Sequence, residues 1–148
     1  MTALTDGHIF VGDISNVAQD VAMSGVVAID DTGATTTKGT FGITIDGGGA
    51  VPGTGSQGFV TIPYSCTITN WYMAANASGS AVIDIKRSAA SIVGGGNKPT
   101  LSSQSSANAV VSSWTSASIS AGDIIEFNLD SASTLTRVNL VLKVTRSS

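Results

Sequence analysis

The chain has 148 residues, a formal net charge of −3 at pH 7 and 11% charged residues. Its seven Lys and Arg residues form no cluster denser than Lys86 and Arg87, so we expect neither nucleic-acid binding nor attachment to an anionic membrane surface, both of which need a concentrated cationic face. No apolar run approaches the roughly 20 residues of a membrane helix, and residues 1–10 lack the basic and apolar regions of a secretory signal, so we expect no membrane insertion and no ordinary secretion.

The first forty residues alternate short apolar pieces with turns rich in Gly, Asp, Asn and Thr. The apolar pieces are residues 9–11, 17–23 and 26–29, and none is long enough to close a core of its own. We therefore predict that residues 1–40 form an extended N-terminal arm that buries its apolar side chains against other subunits. The predicted assembly interface consists of Ile9, Phe10, Val11, Val17, Val21, Met23, Val26 and Ile29.

One segment of the arm permits two interpretations. Residues 15–24 could form a short helix that begins at Ser15 and ends at Gly25. We favour the extended form, because no Glu or Gln completes a capping box and Val is a poor helix former.

Strand patterns dominate after Thr40. Residues 41–46 alternate cleanly, residues 58–64 form a second predicted strand, and residues 66–74 form a third. The alternation slips in the third strand, where Trp71 has the opposite parity to Ile68. A bulge near Asn70 would return Trp71 to the core face.

Three later segments carry the same period. Residues 81–87 place Ile83 and Ile85 inward, with Asp84 and Lys86 outward. Residues 123–129 and 137–145 also alternate, and the inward positions there are Ile125, Phe127, Leu129, Val138, Leu140, Leu142 and Val144. A serine-rich stretch, residues 101–118, lies between the first two of these segments and carries Val110, Val111 and Trp114. With this stretch the chain has about seven or eight strands, which predict an all-β, jelly-roll-type β-sandwich over residues 41–148, preceded by the arm of residues 1–40.

The residues capable of chemistry are scattered along the chain. His8 is the single histidine and Cys66 the single cysteine. His8 belongs to the arm, whereas Cys66 belongs to a core-facing strand. We therefore expect structural roles for both residues rather than a catalytic triad or a metal site. The carboxylates of Asp30, Asp31, Asp46 and Asp123 adjoin glycine-containing turns, and Glu126 lies on an outward face. Since this pattern does not bring two carboxylates together as glycosidases require, we expect no enzymatic activity, no metal and no cofactor.

The aromatic residues offer one binding hypothesis. Trp71, Trp114, Tyr64 and Tyr72 could form a platform on which a sugar stacks. With aromatic residues at 5% of the chain, packing in the core or between subunits is the favoured alternative, because a small sandwich needs some of them inside.

The order of short motifs resembles a known class of proteins. The arm contains DGHIFVG at residues 6–12, SNVA at 15–18, VAMSG at 21–25 and TGAT at 32–35. This order and spacing resemble a module of tailed-bacteriophage tail fibres and related virion appendages, with one departure at Val26, where an Asp is usual. Further on, GITIDGGG at 42–49, IPYSCTIT at 62–69, KPTLS at 98–102 and AGDIIEF at 121–127 look like a C-terminal domain of phage structural proteins.

The resemblance implies a virion structural protein, commonly a homotrimer, assembled in the host cytoplasm. Because the chain leaves no room for a long shaft, it favours a capsid decoration (cement) protein whose arm clasps the major capsid protein or another virion protein. The alternative is a tail-fibre or receptor-binding protein whose sandwich recognises host surface glycans.

Overall fold

The computed structural model describes residues 5, 7–30 and 32–147. Residues 1–4 of the predicted arm, Asp6 of its first motif, Asp31 of its predicted turn and Ser148 lie outside this range. Within the described range the secondary structure consists of eleven β-strands. The strands are β1 (His8–Gly12), β2 (Ala18–Ala22), β3 (Val27–Ile29), β4 (Thr35–Asp46), β5 (Gly55–Thr61), β6 (Cys66–Arg87), β7 (Ala90–Ser91), β8 (Thr100–Val110), β9 (Ser118–Ile119), β10 (Ile124–Ser133) and β11 (Arg137–Ser147).

Nine of these strands form one antiparallel sheet that curls into two layers. The first layer has the order β3-β4-β11-β6, and the second has the order β5-β10-β6. Strand β8 pairs with both halves of β6, and the short strands β9 and β7 pair with the beginning and the end of β6. Strand β6 belongs to both layers, since its residues 67–75 pair with β11 and its residues 80–87 pair with β10. The first and last sandwich strands are thus neighbours, as are the second and the penultimate strands, which is the strand order of a jelly roll. The predicted all-β, sandwich-type fold is confirmed.

The continuous strand β6 replaces two predicted strands. The sequence pattern separates residues 66–74 from 81–87, whereas the chain runs through both as a single strand of 22 residues. Its bend lies at Gly79, where the ladder with β8 is irregular on both sides. A Cβ atom at Gly79 would lie 2.6 Å from the carbonyl oxygen of Ser133. Glycine therefore allows β6 to pass close to the neighbouring backbone as it crosses between layers.

The predicted bulge beside Asn70 is present. In the ladder with β11, Asn70 pairs with Lys143 and Ile68 pairs with Val144, so Thr69 is the extra residue. Trp71 returns to the core face and is 8% exposed.

The core lies between the two layers and contains no residue of the arm. Phe127 is fully buried at its centre and meets Phe41 edge to face, with 6.5 Å between the ring centroids. The inward positions predicted for β10 and β11 are all 0% exposed: Ile125, Phe127, Leu129, Val138, Leu140, Leu142 and Val144. All buried apolar residues of the described range lie at or beyond Ile45, so the sandwich has its own core without the arm.

The predicted exposure of Asp84 is wrong. Asp84 does lie on the outer face of β6, yet it is 4% exposed because the segment after β6 folds over it. Ser91 donates a hydrogen bond to its carboxylate at 2.6 Å, and the Lys98 ammonium lies 3.1 Å from it. The alternation of residues within β6 does not show that residues 91–98 fold back across the outer face of β6 and cover Asp84.

The predicted boundary between residues 40 and 41 lies inside β4. This strand begins at Thr35 and pairs with β11 from Thr36 to Asp46. The end of the arm is therefore continuous with the first layer of the sandwich.

Candidate assembly surface

The beginning of the arm is a β-hairpin made of β1 and β2. These strands pair only with each other, with Ile9 opposite Val21 and Val11 opposite Gln19. Since alternate residues point to opposite faces of a strand, Ile9, Val11 and Val21 share one face. Phe10 lies on the other. The arm is extended as predicted, and the backbone hydrogen bonds of these two strands form within the hairpin.

A single aspartate organises the hairpin turn. The Asp13 carboxylate accepts hydrogen bonds from the backbone N–H groups of Val17 at 2.9 Å and Ser15 at 2.8 Å, and from the Gln19 amide at 3.1 Å. These bonds, that from Val17 first, lower the pKa of Asp13 below its ordinary value, because they favour the charged form. The turn that separates the two apolar strands is thus held by an exposed anion.

Asp30 plays the same part between β3 and β4. Its carboxylate accepts hydrogen bonds from the Thr32 hydroxyl at 2.6 Å and from the backbone N–H groups of Thr32 and Ala34, each at 3.0 Å. The hydrogen bond from the Thr32 side chain is the main cause of the lowered pKa of Asp30. Gly33 completes the turn with φ at +83°, as expected for a carboxylate in a turn.

His8 and Cys66 do not meet. The His8 ring lies 2.7 Å from the Asp20 carboxylate across the hairpin, and Thr5 donates to the same carboxylate at 3.0 Å. Cys66 is buried in the sandwich, and this burial raises the pKa of its thiol. Both residues therefore have structural surroundings, and a nucleophilic pair is not formed.

The arm carries most of the exposed apolar side chains of the described residues. Seven of twelve such side chains form what we call the arm surface: Ile9, Phe10, Val11, Ile14, Val17, Val21 and Val26. Six of them belong to the predicted interface; its other two members, Met23 and Ile29, are half-buried within the chain. Because Phe10 lies on the face opposite Ile9, Val11 and Val21, the arm surface covers both faces of the hairpin. So many exposed apolar side chains on so short a segment are unusual for a monomer.

Ile14 was not predicted as part of this surface. It is 105% exposed, the highest value of this group. It lies between Asp13 and Ser15 in the hairpin turn, where the period-2 pattern does not assign a face. The signal in the sequence that could have identified Ile14 is its position as an apolar residue within a tight polar turn.

The four aromatic residues do not form one platform. Trp71 and Trp114 line a recess of about 210 Å³, in which the Trp114 indole donates to the carbonyl oxygen of Asn97 at 3.2 Å. Tyr72 follows Trp71 in β6 and therefore points to the opposite face. Tyr64 lies beneath the Arg146 guanidinium, 3.7 Å from its ring centroid. Packing, the favoured alternative, accounts for Trp71, and the predicted common sugar platform is absent among these residues.

Two other features, a metal site and a membrane-spanning helix, are absent from the described parts of the chain. No group of three or more His, Cys, Asp or Glu side chains there is arranged to hold a metal ion. The same residues contain no helix that is long and apolar enough to cross a membrane. Compared with known proteins, the chain matches no family model, no curated protein and no solved structure.

Proposed function

We propose that this chain is a non-enzymatic virion structural protein, a homotrimeric capsid decoration protein that stabilises the shell through its N-terminal arm. The observation that supports this proposal is the arm surface: the arm carries seven of the twelve exposed large apolar side chains of the described residues, whereas the sandwich has a buried core of its own. A second copy of the chain and the capsid protein are the proposed occupants of this surface. The choice of a phage shell and of a trimer comes from the resemblance of the arm motifs.

The arm surface offers an apolar area whose burial would favour assembly. With exposures between 36% for Ile9 and 105% for Ile14, the seven side chains leave roughly 500 Å² of apolar area in water. Burial of that area would contribute about 12 kcal/mol before the costs of association. Those costs are of similar size, so several copies that bind side by side would gain from the high effective concentration on a shell.

The last part of the arm is also joined to the sandwich, so binding at the arm would hold the sandwich as well. Strand β3 pairs with the first residues of β4, which continue into the first layer. Lys38 adds a hydrogen bond from its ammonium to the carbonyl oxygen of Gly25 at 3.1 Å. A subunit held at its arm would therefore present the sandwich at a defined distance from the contact.

The test is a triple variant of the full chain, Ile9→Ser, Val11→Ser and Val21→Ser. We expect the parent protein to have three times the chain mass of 14.8 kDa, or 44.4 kDa, by light scattering, and to bind capsids that lack a decoration protein. The triple variant should be monomeric and should leave those capsids bare. Circular dichroism checks that its sandwich is folded, as expected because none of the three residues belongs to the core.

The matched control changes exposed apolar residues of the sandwich, Val51→Ser and Val110→Ser, which are 45% and 70% exposed. This control should keep both the trimer and capsid binding. A parent protein that is monomeric and binds no capsid, or a triple variant that still decorates particles, would refute the proposal.

A further inference from the structure

A second surface, remote from the arm in the chain, is a cleft on the outer face of the second layer. It has a volume of about 380 Å³ and is lined by Phe59 of β5, Ile124 and Glu126 of β10, Gly122, Asp123 and the turn Ser88–Ala89 between β6 and β7. This volume lies within the range of small-molecule sites in proteins. The proposed assembly function makes no use of this cleft.

An exposed aromatic ring and a carboxylate face the cleft side by side. Phe59 is opposite Glu126 in the ladder between β5 and β10, so the two side chains project from the same face of the sheet, about 5 Å apart at their Cβ atoms. Phe59 is 65% exposed, and Ile124, two residues before Glu126 on that face, is 54% exposed. The cleft thus offers an apolar surface with a hydrogen-bond acceptor at its edge.

The carboxylate of Glu126 is half-buried and makes no hydrogen bond or ion pair with the side chains or backbone of residues 5, 7–30 and 32–147. The cation that stands opposite it in the ladder with β6 is Lys86. A protein surface packed over this cleft would desolvate an unpaired carboxylate at a high cost. A ligand with hydroxyl groups would instead donate hydrogen bonds to it, which favours a small polar molecule over an apolar protein partner.

The charges around the cleft favour a neutral ligand. The Asp123 carboxylate is already paired with the Arg87 guanidinium at 3.0 Å and accepts the backbone N–H of Ser120 at 2.8 Å. Glu126 lines the cleft, whereas Lys86, opposite it on the same face, does not; the Glu126 carboxylate is therefore the charge that a ligand in the cleft meets, and it disfavours anions. A neutral sugar ring has hydroxyl donors for Glu126 and an apolar C–H face for an aromatic ring such as Phe59.

Another part of the cleft wall is a tight hairpin turn. Arg87 pairs with Ala90 between β6 and β7, so Ser88 and Ala89 form a two-residue loop. Their φ angles of +50° and +65° are those of a type I′ turn, which joins two antiparallel strands in this way. The hairpin geometry therefore fixes this part of the wall.

We propose that this cleft is a binding site for a neutral pyranose, with Phe59 stacking on the sugar ring and Glu126 accepting hydrogen bonds from its hydroxyl groups. The site differs from the four-aromatic platform, which the sequence offered as the less favoured alternative to packing. It depends on the sandwich alone, so it holds whether or not the arm binds a capsid.

The test is a titration of the ¹⁵N-labelled full chain with the methyl glycosides of glucose, galactose, mannose and N-acetylglucosamine. At least one should shift the amide signals of Phe59, Gly122 and Ile124 in a saturable way, with a Kd of about 1 mM, typical of a single weak site. Glucose 6-phosphate should bind at least about tenfold more weakly, because Glu126 repels its charge.

Two variants and one control decide the assignment. Phe59→Ala and Glu126→Gln should each weaken binding of the active glycoside at least about tenfold, whereas Val110→Ala, an exposed change on another strand, should leave it unchanged. The proposal is overturned if none of the four glycosides gives saturable shifts, if the shifts persist in Phe59→Ala, or if the phosphorylated sugar binds equally well. Capsid binding by the same samples is a separate measurement, so failure of one proposal is distinguishable from failure of the other.

Discussion

Removal of the charge of Lys98 should destabilise the sandwich, because the buried carboxylate of Asp84 would lose the cation that it pairs with. The Lys98 ammonium lies 3.1 Å from Asp84 and 2.6 Å from Asp130. The Asp84 side chain is 6% exposed, whereas those of Lys98 and Asp130 are 27% and 30% exposed. The hydrogen bond to Asp130, followed by that to Asp84, raises the pKa of Lys98, so the ammonium is charged at neutral pH.

The variant Lys98→Met keeps the length of the side chain and removes this cation. Asp84 is then left with the Ser91 hydroxyl as its hydrogen-bond partner among the described residues. A broken buried ion pair costs about 3–5 kcal/mol. Because more than a quarter of Lys98 stays in water, solvent offsets part of that cost, and we expect a loss of about 2 kcal/mol in the free energy of unfolding.

Equilibrium unfolding in urea at pH 7 measures this loss, and the melting temperature should fall by about 6 °C. The control Asp130→Asn changes the more exposed partner and should cost less than about 1 kcal/mol. In the double variant Asp84→Asn, Lys98→Met, the unpaired buried charge is gone, so part of the lost stability should return. Equal losses for Lys98→Met and Asp130→Asn would refute the reasoning, since they would show that the buried carboxylate does not depend on Lys98.

Two further predictions concern the backbone and the acid response. Gly42→Ala should lower the free energy of unfolding by about 3 kcal/mol in the same urea assay. The new Cβ would overlap the Leu140 carbonyl oxygen and lie 2.9 Å from the Cα of Val141. The control is Gly53→Ala, whose Cβ would have nothing within 4 Å; equal effects of the two variants would contradict the steric argument. Asp13 and Asp30 have pKa values lowered from 3.8, so their contribution to stability is present above that pH and is lost as the pH falls through the lower folded-state pKa values. Below about pH 4, the protection factors of the Val17 and Ala34 amides, which are corrected for the intrinsic pH dependence of exchange, should therefore fall before those of the core strands, and Asp13→Asn should remove this pH-dependent loss at Val17; an unchanged profile in that variant would rule out Asp13 as the cause.

The candidate surfaces show which parts of a site the order of residues along the chain can predict. Six of the eight predicted interface residues are exposed, because a segment without enough apolar residues to enclose a core leaves them in water wherever it folds. Met23 and Ile29 are half-buried, since pairing within the arm covers them. The Phe59–Glu126 cleft had no signal in the sequence, because the two residues are far apart along the chain and meet through the register of β5 and β10.

The sequence by itself determined the inward faces of the main sandwich strands and the bulge beside Asn70, because a strand exposes alternate side chains to opposite environments and the chain must place apolar ones inside. The tertiary structure alone decided that β6 serves both layers, that residues 91–98 bury Asp84, and that the arm closes its first two strands on each other. Those outcomes depend on which distant segments become neighbours, and periodicity within one segment carries no information about its partners.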